Sequence, residues 1–173
     1  KIDKRMFEPG IFLETGAIDV NDNGVALTTE QWLLNKNRNP QLNKQQIEKQ
    51  LVENLGVGKI LWLKAGLVND HTDGHIDEAA KFVAYNTIIC AYEENPEDEN
   101  FPILDNNYKT LQKTTDQHGK PFKLIKIPMP HMTYNNGGKT PVSYVNFYIG
   151  NEVVLAQTFK EKNDVNALKI IQY

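Results

Sequence analysis

The chain is nearly devoid of cysteine. Its one thiol in 173 residues, Cys90, excludes an internal disulfide and fits a reducing compartment. No apolar run approaches the ~20 residues that a membrane-spanning helix needs. The opening Lys1-Ile2-Asp3-Lys4-Arg5-Met6-Phe7 is basic, but it lacks the apolar stretch that follows the basic end of a signal peptide. There is no surplus of positive charge either. The formal net charge is −3, which removes the electrostatic motive for binding nucleic acid or an anionic membrane. These absences point to a cytoplasmic protein without nucleic-acid or membrane partners. The length fits one domain with a real core.

What is present is concentrated in Asp70-His71-Thr72-Asp73-Gly74-His75-Ile76-Asp77, five ionisable side chains in eight residues. In extended backbone His75 and Asp77, two apart, leave the same face. An imidazole beside a carboxylate at a strand edge is suited to general acid/base work. A charged turn is a second reading. A metal site is a third, since Asp70, His71, Asp73, His75 and Asp77 have suitable donor atoms. No second His or Cys cluster follows at ligand spacing, so neither metal nor cofactor is assigned. His71 is read as solvent-facing. Cys90 lies in the apolar run Thr87–Tyr92 with no neighbouring base and reads as core filler rather than nucleophile.

Periodicity gives a recurring order. Gly16–Val20 and Val25–Thr29 flank Asn21-Asp22-Asn23-Gly24, a hairpin turn. Asn43 with Gln46 forms a capping box, Ile47, Leu51 and Leu55 make an apolar stripe, and Gly56 stops the helix. Ile60–Leu63 is a short buried strand. The order returns with Ala79–Tyr85 and Thr87–Tyr92, then a helix marked by Leu104, Tyr108 and Leu111. Strand Lys123–Ile127 follows and is ended by Pro128 and Pro130. A third hairpin, Ser143–Ile149 with Glu152–Gln157, leads to a helix from Asp164 with Val165, Leu168 and Ile171 inward. The unit is ββαβ with a period of roughly 64 residues. This divides the chain at approximately 12–66, 67–130 and 131–173, the last unit incomplete, so the chain reads as part of a longer protein. Glu14 and Asp73–Asp77 hold equivalent positions in successive units, and units set around an axis would bring them into one pocket.

Phe12-Leu13-Glu14-Thr15-Gly16-Ala17-Ile18, Leu27-Thr28-Thr29-Glu30, Asn37-Arg38-Asn39-Pro40, Thr72-Asp73-Gly74-His75-Ile76-Asp77 and Ser143-Tyr144-Val145-Asn146-Phe147-Tyr148 occur in that order. With Ile60–Leu63 they resemble the agmatine deiminases of the bacterial-type peptidyl-arginine deiminase superfamily. The resemblance implies an α/β pentein propeller, of which a little under three of five units are here. It implies hydrolysis of agmatine to N-carbamoylputrescine and ammonia through a cysteine-amidino intermediate, with no cofactor. Arginine or peptidyl-arginine deimination and a non-catalytic binding module are the alternatives. A homodimer is expected of the whole protein. Carried over by motif, His75 and Glu14 are catalytic, and Asp77 and Asp73 are substrate-binding. Asp73 either meets the distal part of the substrate or braces the turn. Thr15 stands where the family has glycine. The family's Gly-Gly-Gly-Asn-Ile-His-Cys and Trp-x-Arg-Asp-x-Gly-Pro motifs are missing, which implies that this chain alone is inactive.

Four other segments carry expectations. Asn37–Pro40 reads as a structural loop, with substrate contact as its second reading. Asn146 reads as a polar residue in an apolar strand, hydrogen-bonded if buried, with a structural and a pocket-lining role both open. Asn135-Asn136-Gly137-Gly138 reads as a loop near the channel mouth. Glu93–Glu99 reads as a solvated acidic loop, or as an attractor of cationic substrate.

Overall fold

Asn21 begins the first turn by accepting the backbone N–H groups of Asn23 and Val25 on its side-chain oxygen, while Gly24 takes φ +72°. This closes β1 (Ile18–Val20) antiparallel on β2 (Val25–Thr29). A computed structural model describes residues 8–132 and 137–172. The basic N-terminal segment, Asn135 and Asn136 of the expected loop, and Tyr173 lie outside the described residues. After the short α1 (Glu30–Leu33), α2 (Lys44–Leu55) carries the chain across to β3 (Lys59–Leu63), which pairs parallel with β2.

The ends of α2 are set locally. Asn43 accepts from the Gln46 N–H and Gln46 accepts from the Asn43 N–H, both at 2.9 Å, and Gly56 caps the other end at φ +69°. Ile47 and Leu51 are buried, but Leu55 is 44% exposed. The stripe does not extend that far, because eight residues along a 3.6-residue helix rotate a side chain by ~80° from the starting face. Asn43→Ala should cost about 1 kcal/mol of stability, read as a lowered urea midpoint with an unchanged slope.

The second unit repeats the element order. β4 (Ala80–Ala84) and β5 (Thr87–Tyr92) are antiparallel, α3 (Phe101–Gln112) crosses over, and β6 (Lys123–Pro128) pairs parallel with β5. Pro128 is the last ladder position, opposite Tyr92, one residue beyond the expected end. Asn107 on α3 donates to Ala65 O and accepts from Lys64 N, and Asn100 accepts from Val68 N. The helix thereby holds the segment that leads from β3 into the Asp70–Asp77 loop.

The third hairpin is shorter than expected. Only β7 (Tyr148–Ile149) and β8 (Val154–Leu155) pair. Upstream, side chains take the backbone groups a ladder would use: Ser143 Oγ accepts from Val145 N, and Gln157 donates to Ser143 O. In α4 (Asp164–Ile171) the inward residues are Ala167, Ile170 and Ile171, with Leu168 half-buried and Val165 64% exposed. The rotation is set by Asp164, which lies 2.6 Å from the buried Tyr144 hydroxyl and accepts from Phe159 N and Lys160 N. Positions three and seven beyond Asp164 share its face.

Among the described residues three apolar clusters run in series. One joins Ala17, Trp32, Ile47 and Leu51 beneath the first sheet. A second joins Leu27, Leu61 and Leu63 to Ile76, Phe82 and Ile88 between the first two units. The third packs Ile89, Ile127, Tyr144 and Phe147 against α4. Among the described residues no helix is long and apolar enough to cross a membrane.

Candidate active site

Residues 70–77 form a folded loop ahead of β4, not the extended segment that the two-residue spacing suggested. Asp70 organises it from within. Its carboxylate accepts from Thr72 N, Thr72 Oγ1, Gly74 N and His75 N at 2.7–3.1 Å, which occupies both oxygens. Asp73 and Gly74 take positive φ of 67° and 90°. Thr29, the N-cap of α1, donates its hydroxyl proton to Gly74 O at 2.6 Å and accepts from Trp32 N. Ile76 is fully buried and anchors the loop to the core.

His75 and Asp77 still point the same way, for a different reason. The N–H groups of Ile76 and Asp77 both donate to Gly16 O, at 3.1 and 3.2 Å, so the loop closes over the Thr15–Ala17 turn. A Cβ on Gly16 would lie 2.4 Å from His75 Nδ1 and 2.6 Å from Asp77 Oδ2. Gly16 is therefore the floor on which both side chains rest.

The same turn delivers Glu14, whose Oε2 lies 2.7 Å from His75 Nε2. A carboxylate only accepts, so Nε2 carries the proton in this contact. Glu14 Oε1 faces Arg38 Nε at 3.3 Å, and Arg38 Nη1 lies 3.3 Å from Asp73. Asn37 also donates to Asp73, at 3.0 Å. The Arg38 guanidinium lies 5.1 Å from the Trp32 ring, and Trp32 meets the His75 ring edge-on at 5.7 Å. Asp77 Oδ1 is 3.9 Å from His75 Nδ1. Burial pushes the Asp77 carboxyl above the usual carboxylate range, against the opposing pull of His75 and Lys81. Asp77 opens into a cleft of about 570 Å³ lined also by Thr15, Gly16, Asp19, Lys81 and Asn146. Asp19 is pushed up by burial as well, and it accepts from Phe82 N at 2.6 Å, tying β1 to β4.

Of the residues expected at the site, Glu14, His75 and Asp77 come together directly, and Asp73 joins them through Arg38. Gly16 and Trp32 were not singled out in the sequence, and Arg38 only as part of the Asn37–Pro40 loop. The expected structural loop Asn37–Pro40 does brace the chain, through Asn39, which exchanges hydrogen bonds with the Phe12 backbone. It also sends Arg38 and Asn37 to the site. Asn146 is exposed, lines the cleft, and donates to Glu78 Oε1 at 2.8 Å. The acidic run is not uniformly solvated. Glu93 is buried and accepts from Glu94 N and Asn95 N, and Asp98 is paired with Lys139. Glu93, Asp98 and His131 lie at metal-ligand spacing, but the Lys139 ammonium already neutralises Asp98. Cys90 is buried in β5, and burial pushes its thiol up to about 12.

Glu78, next to Asp77, is a third acid near the cleft whose titration is pushed up. Burial pushes it up to about 7, reinforced by Asp77 and Asp70, and its Oε2 has no hydrogen-bond partner. A carboxyl whose folded value is raised opposes folding increasingly as pH climbs from its ordinary value through about 7. Glu78→Gln keeps the acceptor used by Asn146. It should stabilise the fold at pH 8 by on the order of 2 kcal/mol, read as a raised thermal midpoint, with little difference from wild type at pH 4.5.

The sequence pattern of the Porphyromonas-type peptidyl-arginine deiminase family matches residues 1–173. The agmatine deiminase of Pseudomonas fluorescens (strain SBW25) is 38% identical over 181 residues, covering 94% of this chain and 49% of that protein. The agmatine deiminase of Medicago truncatula is 35% identical over 185 residues, covering 95% and 50%. Among solved structures, a C. jejuni agmatine deiminase with serine in place of a cysteine and substrate bound is similar at a TM-score of 0.85 and 38% identity. That match covers 92% of this chain and 46% of the other. The chain thus spans about half the length of the curated relatives it matches.

Proposed function

This chain belongs to the Porphyromonas-type peptidyl-arginine deiminase family and has the pentein fold, and from that premise we propose that the whole protein hydrolyses agmatine to N-carbamoylputrescine and ammonia. The observation that carries this is the pairing of Glu14 with His75 at 2.7 Å beside Asp77. A proton-carrying imidazole there adjoins a carboxylate that faces a cleft.

A guanidinium is planar, with N–H groups in a fork that a carboxylate can accept in pairs. Asp77 supplies such an acceptor. Asp73 is already engaged by Arg38 and Asn37, which supports bracing as its part. A thiolate adds to the guanidinium carbon, and His75 donates a proton as ammonia leaves. Water then attacks the amidino intermediate while His75 takes its proton, the ureido product departs, and the thiolate is restored. The balance is one water consumed and one ammonium released per guanidinium. Cys90 is not the thiol, because burial holds it protonated and out of reach. We assign the nucleophile to sequence outside residues 1–173, which makes this chain alone inactive. In the same reading the chain comprises repeats 12–66, 67–130 and an incomplete 131–173, and the whole protein is a cytoplasmic homodimer.

The family's description gives a second reading, a peptidyl-arginine deiminase, and free arginine is the other alternative substrate. A comparison of kcat/KM for ureido product from agmatine, free arginine and a blocked arginyl peptide, using the full-length protein, separates them. Agmatine should be preferred; a preference for the peptide would reassign the substrate.

A further inference from the structure

We propose that Arg38 is a positioning residue, a single guanidinium that locks Glu14 against His75 Nε2 and couples that pair to the Asp73 turn. The inference rests on the deiminase reading for its kinetic part only.

Glu14 offers two oxygens and each has a separate partner: Oε2 meets His75 at 2.7 Å and Oε1 meets Arg38 Nε at 3.3 Å. With one oxygen held, rotation of the carboxylate away from the imidazole is blocked. The Glu14 side chain is 34% exposed, so without Arg38 water would compete for both oxygens. The Nε–H of Arg38 is buried and meets Oε1 as an ion pair off the hydrogen-bond axis, and charge more than alignment holds the contact. On its other edge Arg38 reaches Asp73 and the Thr72 carbonyl, both in the loop that carries His75. The same side chain thus ties the turn that presents Glu14 to the loop that presents His75.

The aromatic surroundings make Arg38 rigid enough for this. Its guanidinium sits 5.1 Å from Trp32 and 6.0 Å from Phe12, rings that stack on each other. Trp32 is fully buried and also touches His75, so arginine and histidine share one support. A lysine would bring a compact point charge in place of the planar fork, and could not serve both carboxylates. Arg38 engages Glu14 Oε1 and Asp73, and the acids that line the cleft are Asp77 and Asp19.

Two readouts on the full-length protein test this. The first is the 1H–15N resonance of the His75 Nε2–H, observed with 15N-histidine labelling and assigned by its loss in His75→Ala. Arg38→Gln should broaden or abolish it through exchange with water, with partial recovery in Arg38→Lys; an unchanged resonance in Arg38→Gln overturns the assignment whether or not the protein turns over agmatine. The second is a double-mutant cycle in kcat. Arg38→Gln should lower kcat roughly tenfold or more with KM little changed, and lower it less than about twofold further in a Glu14→Gln background. Full multiplication of the two losses, in a wild type that releases ammonia, overturns the positioning role alone. A wild type that releases none defeats the deiminase reading, and the resonance then decides the matter for Arg38.

Discussion

His75→Ala is expected to reduce guanidine turnover by the full-length protein by ~10²–10⁴-fold, the range that a positioned general acid/base contributes. His75 is the one group at the site whose ring can both give and take a proton between Glu14 and the cleft. Both halves of the proposed reaction need it, first to protonate departing ammonia and then to deprotonate water. The variant should remain folded, since the ring packs on Trp32 from one edge and lies outside the three apolar clusters. Loss of that edge contact is worth about 1 kcal/mol, so a near-normal thermal midpoint should accompany the loss of rate. Initial rates of ammonia release, measured beside a melting curve, separate catalysis from folding. Turnover within a few fold of wild type would show that another group moves the proton.

Gly16→Ala should be nearly as damaging, and it replaces no charged or nucleophilic group. The new methyl would sit 2.4 Å from His75 Nδ1 and 2.6 Å from Asp77 Oδ2, whereas unstrained carbon contacts lie near ~3.5 Å. Backbone cannot retreat easily, because Gly16 O receives two hydrogen bonds from the loop above it. The imidazole and the carboxylate must therefore move by about 1 Å, a displacement that costs roughly 10²-fold in rate. Crowding of this kind destabilises by about 1–3 kcal/mol. The check is kcat/KM together with urea unfolding. A variant with full activity would mean that the site rests on some other floor.

Features decided by neighbouring residues were legible before the structure. The Asn43–Gln46 box and the Gly56 stop are local chemistry, and both ends of α2 fall where those residues put them. The hairpin turn at Asn21–Gly24 is likewise local. Glu14 and His75 were linked by equivalent places in successive repeats, and they meet at 2.7 Å. Features decided by contacts distant in sequence were not legible. Asp164 is held by Tyr144, and that contact turns Ala167 rather than Val165 inward. Ser143 and Gln157 divert backbone groups that alternation had assigned to a ladder. Arg38 sits in a loop without periodicity, so only its tertiary partners disclose it. Gly16 carried a hint, since a glycine after Glu14 and Thr15 leaves room for something to approach closely. What approaches is visible only in three dimensions.

The central claim is that Glu14, His75 and Asp77 form the proton-transferring and guanidinium-gripping wall of a deiminase. The measurement that tests it most directly is simultaneous quantification of ammonia and ureido product from agmatine by the full-length protein, wild type beside Asp77→Asn. The account predicts one ammonia per ureido group in the wild type, and a large rise in KM with loss of rate when Asp77 is neutralised. Wild-type turnover that is indifferent to Asp77, or agmatine consumed without matched ammonia and ureido product, would contradict it.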